Sequence, residues 1–444
     1  GSGSVGLPLS VAQRGVWLAQ QMLGAVPFTM CGRADIRGVV DVGVLVSTMQ
    51  QTWLELYGGV PRVVQVGGEP RMVIEADALI PIEVHDLQGC ADPLMQAQAR
   101  VRAVQEEGVD PGGEVPVRIE FLTVAPDHLV IVMVVHHVML DGAGVAVMSI
   151  RCSQRYSAAV QGFQLDPFPG MSPEQLSAVE RRYRESHDFE ADRQFWAQYT
   201  ELMDEPLSWG GVSAPPAAVP LVCGAVLTPA IVSAVEAVGR RVGASTTRVF
   251  IAATGVFTAR LADSGEVGVW LPVSARTDPL TRISAGMMAN VVPLRVMCAP
   301  GTSFLEVLAD TVEQVRVVST HQRYRLEDIL RQWRTSSDRF GLSGPQINVM
   351  LFDLQFAFGA ATGSFQTPGI GPVEDVSVTV LPWPGGQLRV EVHANPNRYS
   401  EAEVASYLAR FVSVLDQITA DPEVRVDQVE ILLSGERERL LGWG

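Results

Sequence analysis

Leu129-Val-Ile-Val-Met-Val-Val135 is short, rich in β-branched residues and apolar at every position, on both of the faces a strand presents. Such a run reads as a strand covered on both sides. His136-His137-Val-Met-Leu-Asp141-Gly142 follows without a break, so a titratable imidazole stands where a buried strand meets a loop. The ordinary pKa of an imidazole lets it take and give protons near neutrality, and at this place it is partly dry. Asp141 can fix the turn through a charged pair. The same residues admit three blander readings. Two histidines and an aspartate are metal-ligand types, but adjacent residues diverge on a strand and no Cys, His or Glu cluster completes a set, so no metal is expected. A purely structural turn is the second reading. The third is a dinucleotide loop begun by Gly142-Ala-Gly144, although Val147 stands where a further small residue belongs.

Charge and composition narrow the class. A formal charge of −16 argues against sequence-independent nucleic-acid binding, which needs basic surface in excess. All 33 basic residues are Arg, which removes Schiff-base chemistry, pyridoxal phosphate attachment and the lysine of a phosphate-binding loop. Cys31, Cys90, Cys152, Cys223 and Cys298 are scattered and odd in number, which points to a reducing, cytoplasmic setting rather than a disulfide frame. None sits beside a histidine, as an activated thiol would require. No apolar run is long enough to span a bilayer, no signal peptide is visible, and the chain reads as soluble and globular. Gly1-Ser-Gly-Ser4 reads as a cloning remnant and is left out of fold reasoning.

At 444 residues the chain suits two domains of ordinary size. The first runs from Leu7 to about Gly162, and Leu165-Asp-Pro-Phe-Pro-Gly170 with Met171-Ser-Pro supplies a connector. The division is expected at 1–170 and 171–444. Arg181 to Leu202 reads as one helix with Tyr183, Phe195 and Trp196 packing, and Gly210 to Pro216 as a loop. Thr246 to Leu261 is apolar at helical spacing, and Glu266 to Val273 reads as a second buried strand. Ser400-Glu-Ala-Glu403 is a capping-box signature before Val404, Tyr407, Leu408, Phe411, Leu415 and Ile418, which share one helical face. The Gly/Pro-rich stretch Phe358 to Gly371 reads as a long functional or crossing loop.

The run His136 to Gly142 resembles the His-His-x-x-x-Asp-Gly motif of the condensation domains of nonribosomal peptide synthetases, and further matches follow in family order along the whole chain. Ser10-Val-Ala-Gln13-Arg-Gly-Val-Trp17 resembles the opening Ser-x-Ala-Gln-x-Arg-x-Trp. Gly286-Met-Met-Ala-Asn290-Val-Val-Pro293-Leu-Arg295 is similar to the segment Gly-x-x-x-Asn-x-x-Pro-Leu-Arg, and His321-Gln-Arg-Tyr324-Arg-Leu-Glu327-Asp328 to the block His-Gln-x-x-x-x-Glu. Gly344-Pro-Gln-Ile-Asn348-Val-Met and Ala394-Asn-Pro396-Asn-Arg-Tyr399-Ser resemble two later segments.

The resemblance implies an α/β (α+β) fold of two chloramphenicol acetyltransferase-like subdomains, a V-shaped pseudo-dimer with a central tunnel. It implies an amide-forming acyltransferase that joins a donor acyl or peptidyl thioester to an acceptor aminoacyl thioester. Phosphopantetheine arms of an upstream and a downstream carrier protein bring both, and the domain itself binds no cofactor. By motif position His137 is the catalytic group, with His136 oriented in the core and backbone N–H groups near Gly142 as candidates for holding an oxyanion. A buried Asp141 needs a partner, for which Arg295 is the first choice. Gln13 and Trp17 are expected beside the motif, and Asn290 across the tunnel. Carrier docking is expected to be transient and the domain monomeric.

The chain departs from the family pattern in two places. Gly15 stands where the opening motif has Arg, a natural or an engineered change, and on this resemblance it widens the acceptor-side entrance. The second motif, His-x-x-Leu-Arg, is missing between Met49 and Pro61, so either it has drifted or residues are absent there, and an Arg from that region is a second candidate partner for Asp141. The end, Glu436 to Trp443, is similar to the segment that leads into an adenylation domain, which suggests a piece of a larger synthetase of the kind that makes antibiotics or siderophores. Epimerisation domains, noncatalytic partner-recruiting relatives and free-standing acyltransferases are the alternatives.

Overall fold

The computed structural model describes residues 6–112, 115–210, 212–333, 342–351, 355–369 and 371–441. They fall into two compact units: residues 1–189, 274–289 and 353–372 belong to the first, and 190–273, 290–352 and 373–444 to the second. The division expected at 170 does not coincide with this one, because side chains tie the following segment back to the first unit. The Ala12 N–H donates to Glu180 Oε2 at 3.2 Å, and the Met171 N–H to Ser284 Oγ at 2.8 Å.

The first part of the chain runs β1 (Leu7–Pro8), α1 (Val11–Leu23), β2 (Thr29–Arg37), α2 (Val42–Tyr57), β3 (Val60–Val66), β4 (Glu69–Glu75), β5 (Ile82–Asp86), α3 (Pro93–Glu107), β6 (Val117–Ala125), β7 (His128–His136), α4 (Gly142–Gln161) and α5 (Pro173–Arg184). Ser10 starts α1 with a capping box, its hydroxyl accepting from the Gln13 N–H while the Gln13 side chain accepts from the Ser10 N–H. The stretch from Met49 to Pro61, where residues were expected to be absent, folds as the end of α2, a left-handed Gly58 and the start of β3. There Glu55 is held by both Arg151 and Arg155 of α4.

The remainder runs α6 (His187–Glu201), β8 (Leu221–Leu227), α7 (Pro229–Arg241), α8 (Thr246–Ala262), β9 (Glu266–Val273), α9 (Pro279–Arg282), β10 (Asn290–Met297), α10 (Phe304–Thr320), α11 (Leu326–Gln332), β11 (Pro345–Val349), β12 (Gln355–Phe358), β13 (Ala361–Gly369), β14 (Val376–Trp383), β15 (Gln387–Ala394), α12 (Glu401–Ala420) and α13 (Glu436–Leu441). Two expectations need correction. The helix expected over 181–202 is two helices, because the Ser186 N–H turns back to the Tyr183 carbonyl and its hydroxyl accepts from the Phe189 N–H, starting α6 afresh. The loop expected over 358–371 is largely strand. Gly359, left-handed at φ 62°, turns β12 into β13, and β13 pairs antiparallel with β2.

The first unit holds a six-stranded sheet in the order β12-β13-β2-β7-β6-β5, antiparallel except for β5 beside β6, and a smaller sheet β1-β4-β3. β7 lies between β2 and β6, and every one of its residues is buried. Leu129, Ile131, Met133 and Val135 face the main core, while Val130, Val132 and Val134 pack with Ala97, Val101 and Val104 of α3. The apolar run is thus covered on both sides, as its composition requires. The second unit holds a sheet in the order β10-β9-β11-β14-β15-β8. Among the described residues no helix is long and apolar enough to cross a membrane.

Candidate active site

The loop after β7 is pinned atom by atom. The His137 N–H donates to the Phe28 carbonyl at 2.9 Å, and the Met139 N–H to the His136 carbonyl at 2.9 Å. Gln13 Nε2 donates to the Val138 carbonyl at 3.0 Å and the Tyr57 hydroxyl to the Met139 carbonyl at 2.9 Å. Val138, Met139 and Leu140 are fully buried in the main core. Three apolar side chains therefore anchor the loop from below while side-chain amide and hydroxyl groups satisfy its backbone.

This frame treats the two histidines differently. His136 is 0% exposed. Its Nδ1 accepts from the Val138 N–H at 3.1 Å, so the proton sits on Nε2 and is donated to Gln20 Oε1 at 3.0 Å. Burial, and then the neighbouring His137, pull its pKa down to about 3. His136 is an oriented core residue with both nitrogens in use, which also leaves it no lone pair for a metal. His137 is partly exposed, with its ring centroid 5.3 Å from that of Phe28. Its Nδ1 is buried without a hydrogen-bond partner of normal geometry among the described residues. Burial pulls its pKa down to about 4, against the Asp141 charge and the Leu140 backbone, which both favour a proton. A proton on the buried Nδ1 leaves the Nε2 lone pair on the outward side of the ring.

Asp141 is the keystone of the turn, but its partner is not the expected one. The Asp141 and Arg276 side chains are 1% and 2% exposed and 2.7 Å apart. Asp141 Oδ2 also accepts from the Met288 and Ala289 N–H groups at 2.8 and 2.7 Å, and Oδ1 from the Gly144 N–H at 2.8 Å. Burial alone would push this carboxyl up. The Arg276 charge and these donors outweigh it and hold the pKa below the ordinary value. Arg276 donates its Nη2 to the Gly286 carbonyl at 3.0 Å, and it follows Ala275, whose φ of 53° is unusual for a residue with a Cβ.

Arg295 instead makes a two-pronged pair with Glu266, 2.8 Å on each arm, on the paired strands β10 and β9. The second candidate, an Arg from the region of residues 49–61, is also displaced by Arg276. The signal that was missed is positional: Ser274-Ala-Arg276 directly follows the buried strand β9, where a charged side chain is aimed by a well-ordered element.

The other expected residues divide. Gln13 lies against the motif loop, as described, and Trp17 is buried in the same core as Val138 and Met139. Gly15 is buried within α1, and Gly142 opens α4 on the exposed side. Asn290 does not reach outward: its Nδ2 donates to the Gln322 and Tyr324 carbonyls at 3.0 and 2.7 Å, and its Oδ1 accepts from the Leu326 N–H at 3.1 Å. That uses the amide fully in positioning the segment between α10 and α11.

The dinucleotide-loop reading fails because β7 has antiparallel neighbours on both sides. Gly144 is needed for another reason, since a Cβ there would lie 2.8 Å from the Gly286 carbonyl oxygen. One group with metal-ligand side chains lies elsewhere among the described residues, Glu83, His85 and Glu120. Arg100 and Arg118 already pair its carboxylates.

Because His136 is neutral when folded, stability depends on pH with a definite sign. Between its unfolded value near 6.5 and its folded value of about 3, the unfolded chain binds a proton that the folded chain does not. Stability is fully present above 6.5 and is lost as pH falls. At pH 5 this one group is expected to cost about 2 kcal/mol. Urea midpoints for the protein and for His136→Asn at pH 7.5 and 5 check this, since the variant should lose less stability on acidification. Equal losses would show that the imidazole is not held neutral.

Comparison with known proteins places this geometry. The chain is 28% identical to the dimodular nonribosomal peptide synthase of Bacillus subtilis (strain 168) over 98% of its length, and 25% identical to enterobactin synthase component F of Escherichia coli O157:H7 over 98%. It spans 18% and 34% of the lengths of those two relatives. Among solved structures, the first condensation domain of the calcium-dependent antibiotic synthetase matches with a TM-score of 0.87 at 27% identity, covering 97% of this chain and 100% of that one. The starter condensation domain of rhizomide synthetase matches with a TM-score of 0.89 at 26% identity, covering 97% and 98%. The two mixed sheets, one in each unit, agree with two chloramphenicol acetyltransferase-like subdomains. The condensation-domain family model matches residues 5–441, and with its motif loop built as described, the chain belongs to the condensation domains of nonribosomal peptide synthetases.

Proposed function

We propose that this domain forms the peptide bond between a donor acyl or peptidyl thioester and an acceptor aminoacyl thioester, both delivered on the phosphopantetheine arms of carrier proteins. Condensation domains generally catalyse peptide-bond formation in nonribosomal peptide synthesis, acting on such carrier-bound substrates. The observation that carries the reading is His137, a partly exposed imidazole on a fixed loop, kept neutral by burial of the ring and with Nδ1 as its buried nitrogen.

The reaction asks for little covalent help. A thioester is already activated, and an α-amine with an ordinary pKa near 8 is about one-tenth unprotonated at pH 7 and about half unprotonated at pH 8. Holding amine and thioester together then supplies much of the rate. The Nε2 lone pair of His137 accepts a hydrogen bond from the attacking amine and receives or relays the proton that the nitrogen must lose as the C–N bond forms. The thiolate of the donor's arm leaves and takes up a proton. Asp141 touches no substrate in this scheme; it sets the turn that aims His137. The N–H groups at the start of α4, Gly142 first, are the candidates for receiving the carbonyl oxygen as it gains charge.

Intact mass spectrometry of two loaded carrier proteins mixed with the domain tests this. The acceptor should gain the mass of the donor's acyl group. An unchanged acceptor mass with inversion at the donor's Cα would replace condensation by epimerisation, and no change in either would overturn both.

A further inference from the structure

His137 is located by two contacts whose far ends meet in one side chain. Its own N–H donates to the Phe28 carbonyl, and the residue before it, His136, is held by its ring. Gln20, near the end of α1, engages both. Its Oε1 accepts from the Phe28 N–H at 2.7 Å and from His136 Nε2 at 3.0 Å, while its Nε2 donates to the Gly24 and Val26 carbonyls at 2.9 and 3.0 Å. Gly24, at a φ of 61°, ends the helix and turns the chain, so that residues 24–28 return within reach of Gln20. Gln20 is buried, whereas its neighbour Gln21 is exposed.

A carboxamide carries two lone pairs and two N–H groups in one plane, and here all four are in use. That fixes which way the amide faces. Turned over, its NH2 group would meet the Phe28 N–H, and its oxygen would meet two carbonyls. With the oxygen toward His136, the ring carries its proton on Nε2, the same tautomer that the Val138 N–H requires independently at Nδ1. Gln13 and Tyr57 hold the loop beyond His137, at Val138 and Met139. Gln20 holds what precedes it.

We infer that Gln20 is the positioning residue of His137: its carboxamide places the Phe28 peptide that receives the His137 N–H and holds His136 in the tautomer that orders the turn. The inference rests on the condensation reading. Gln20 touches no substrate in this scheme and acts only through the imidazole it aims. It lies outside the matched motif segments, the nearest of which ends at Trp17.

Bond formation between loaded carrier proteins is measured with the domain, with Gln20→Met, with His137→Ala and with the double variant. Methionine keeps the length of the side chain and removes its strong donors and acceptor. Gln20→Met should lower kcat by about 10²-fold, the order that an ångström of misplacement costs, and leave KM for both carriers in place. In the His137→Ala background the same substitution should cost less than about twofold, because the group it aims is gone. An equal loss in both backgrounds, or a loss carried by KM, means general damage and overturns the inference. Gln20→Asn, polar but one methylene too short to meet all four partners, serves with the same expectations where Gln20→Met does not fold. A second measurement needs no bond formation. In the unaltered domain, 15N-labelled His136 should remain an Nε2–H ring across about pH 6–8, and the Phe28 and His137 amides should exchange slowly with solvent. In the Gln20 variant both amides should exchange about tenfold faster or more. Protection that the variant loses sustains the positioning even where no bond forms, a case in which the condensation reading fails alone. Mixed tautomers, or rapid exchange of these amides in the unaltered domain, overturn the inference without any variant.

Discussion

Asp141→Ala is expected to destabilise the first unit by about 3–5 kcal/mol, the cost of leaving one member of a buried ion pair alone. The arrangement predicts an asymmetry between the two partners. Without Asp141, the Arg276 guanidinium stays buried with only the Gly286 and Ser274 carbonyls to receive it, and the Met288, Ala289 and Gly144 N–H groups lose their acceptor as well. Without Arg276, the carboxylate still accepts from those three donors, so Arg276→Met should cost less. The double variant, which buries no lone charge, should be more stable than the sum of the single losses allows. Urea unfolding of the four proteins reads all three statements at once. Simple additivity would mean that the two side chains act independently, and that the pair is not what holds the turn.

This pair also shows where sequence stops being informative. The elements that local pattern specifies were legible: the doubly covered strand at 129–135, β9 over Glu266–Val273, the helix from Thr246, and α12 behind its capping box at Ser400 and Glu403. Each is defined by neighbours within a few residues, through periodicity or a cap. β13 is not. Its glycines and Pro368 argue against a strand, and what makes it one is pairing with β2, more than 300 residues earlier in the chain. Gly363 is tolerated because Phe358 and Ile36 close over it, at 2.8 and 3.5 Å from where a Cβ would stand.

The site follows the same rule. The motif names His137 and Asp141, and a buried Asp demands a cation, but which of 33 arginines supplies it is decided by a turn at Ala275 that no local pattern announces. Asn290 and Arg295 carry matched motif segments, yet both are spent on structure, one holding the segment before α11 and the other a cross-strand pair with Glu266. A motif match shows that a residue matters without showing which atoms it serves.

The largest effect on activity is expected at His137. Replacement by alanine should lower the rate of bond formation by about 10²–10⁴-fold, the usual range for a positioned acid–base group. Stability should change little, because the ring is partly exposed and its Nδ1 gives up no hydrogen bond. The pH dependence separates two ways of using the imidazole. With its pKa pulled down to about 4, His137 stays neutral across the whole working range. The fall in rate below pH 8 then belongs to the acceptor amine, whose own pKa is near 8, and the protein and His137→Ala should share that limb. A further limb near 6.5, present only with His137, would mean that the imidazole titrates as in water and that the dry setting is wrong. So low a basicity makes the ring a poor resting place for a proton but a good acceptor of a hydrogen bond from the amine. His137→Gln tests this, because a carboxamide oxygen can accept such a bond but cannot relay a proton. If it recovers a tenfold or greater part of the rate that alanine loses, aiming the amine is a large share of what the imidazole contributes. If it matches alanine, proton transfer through Nε2 carries the effect.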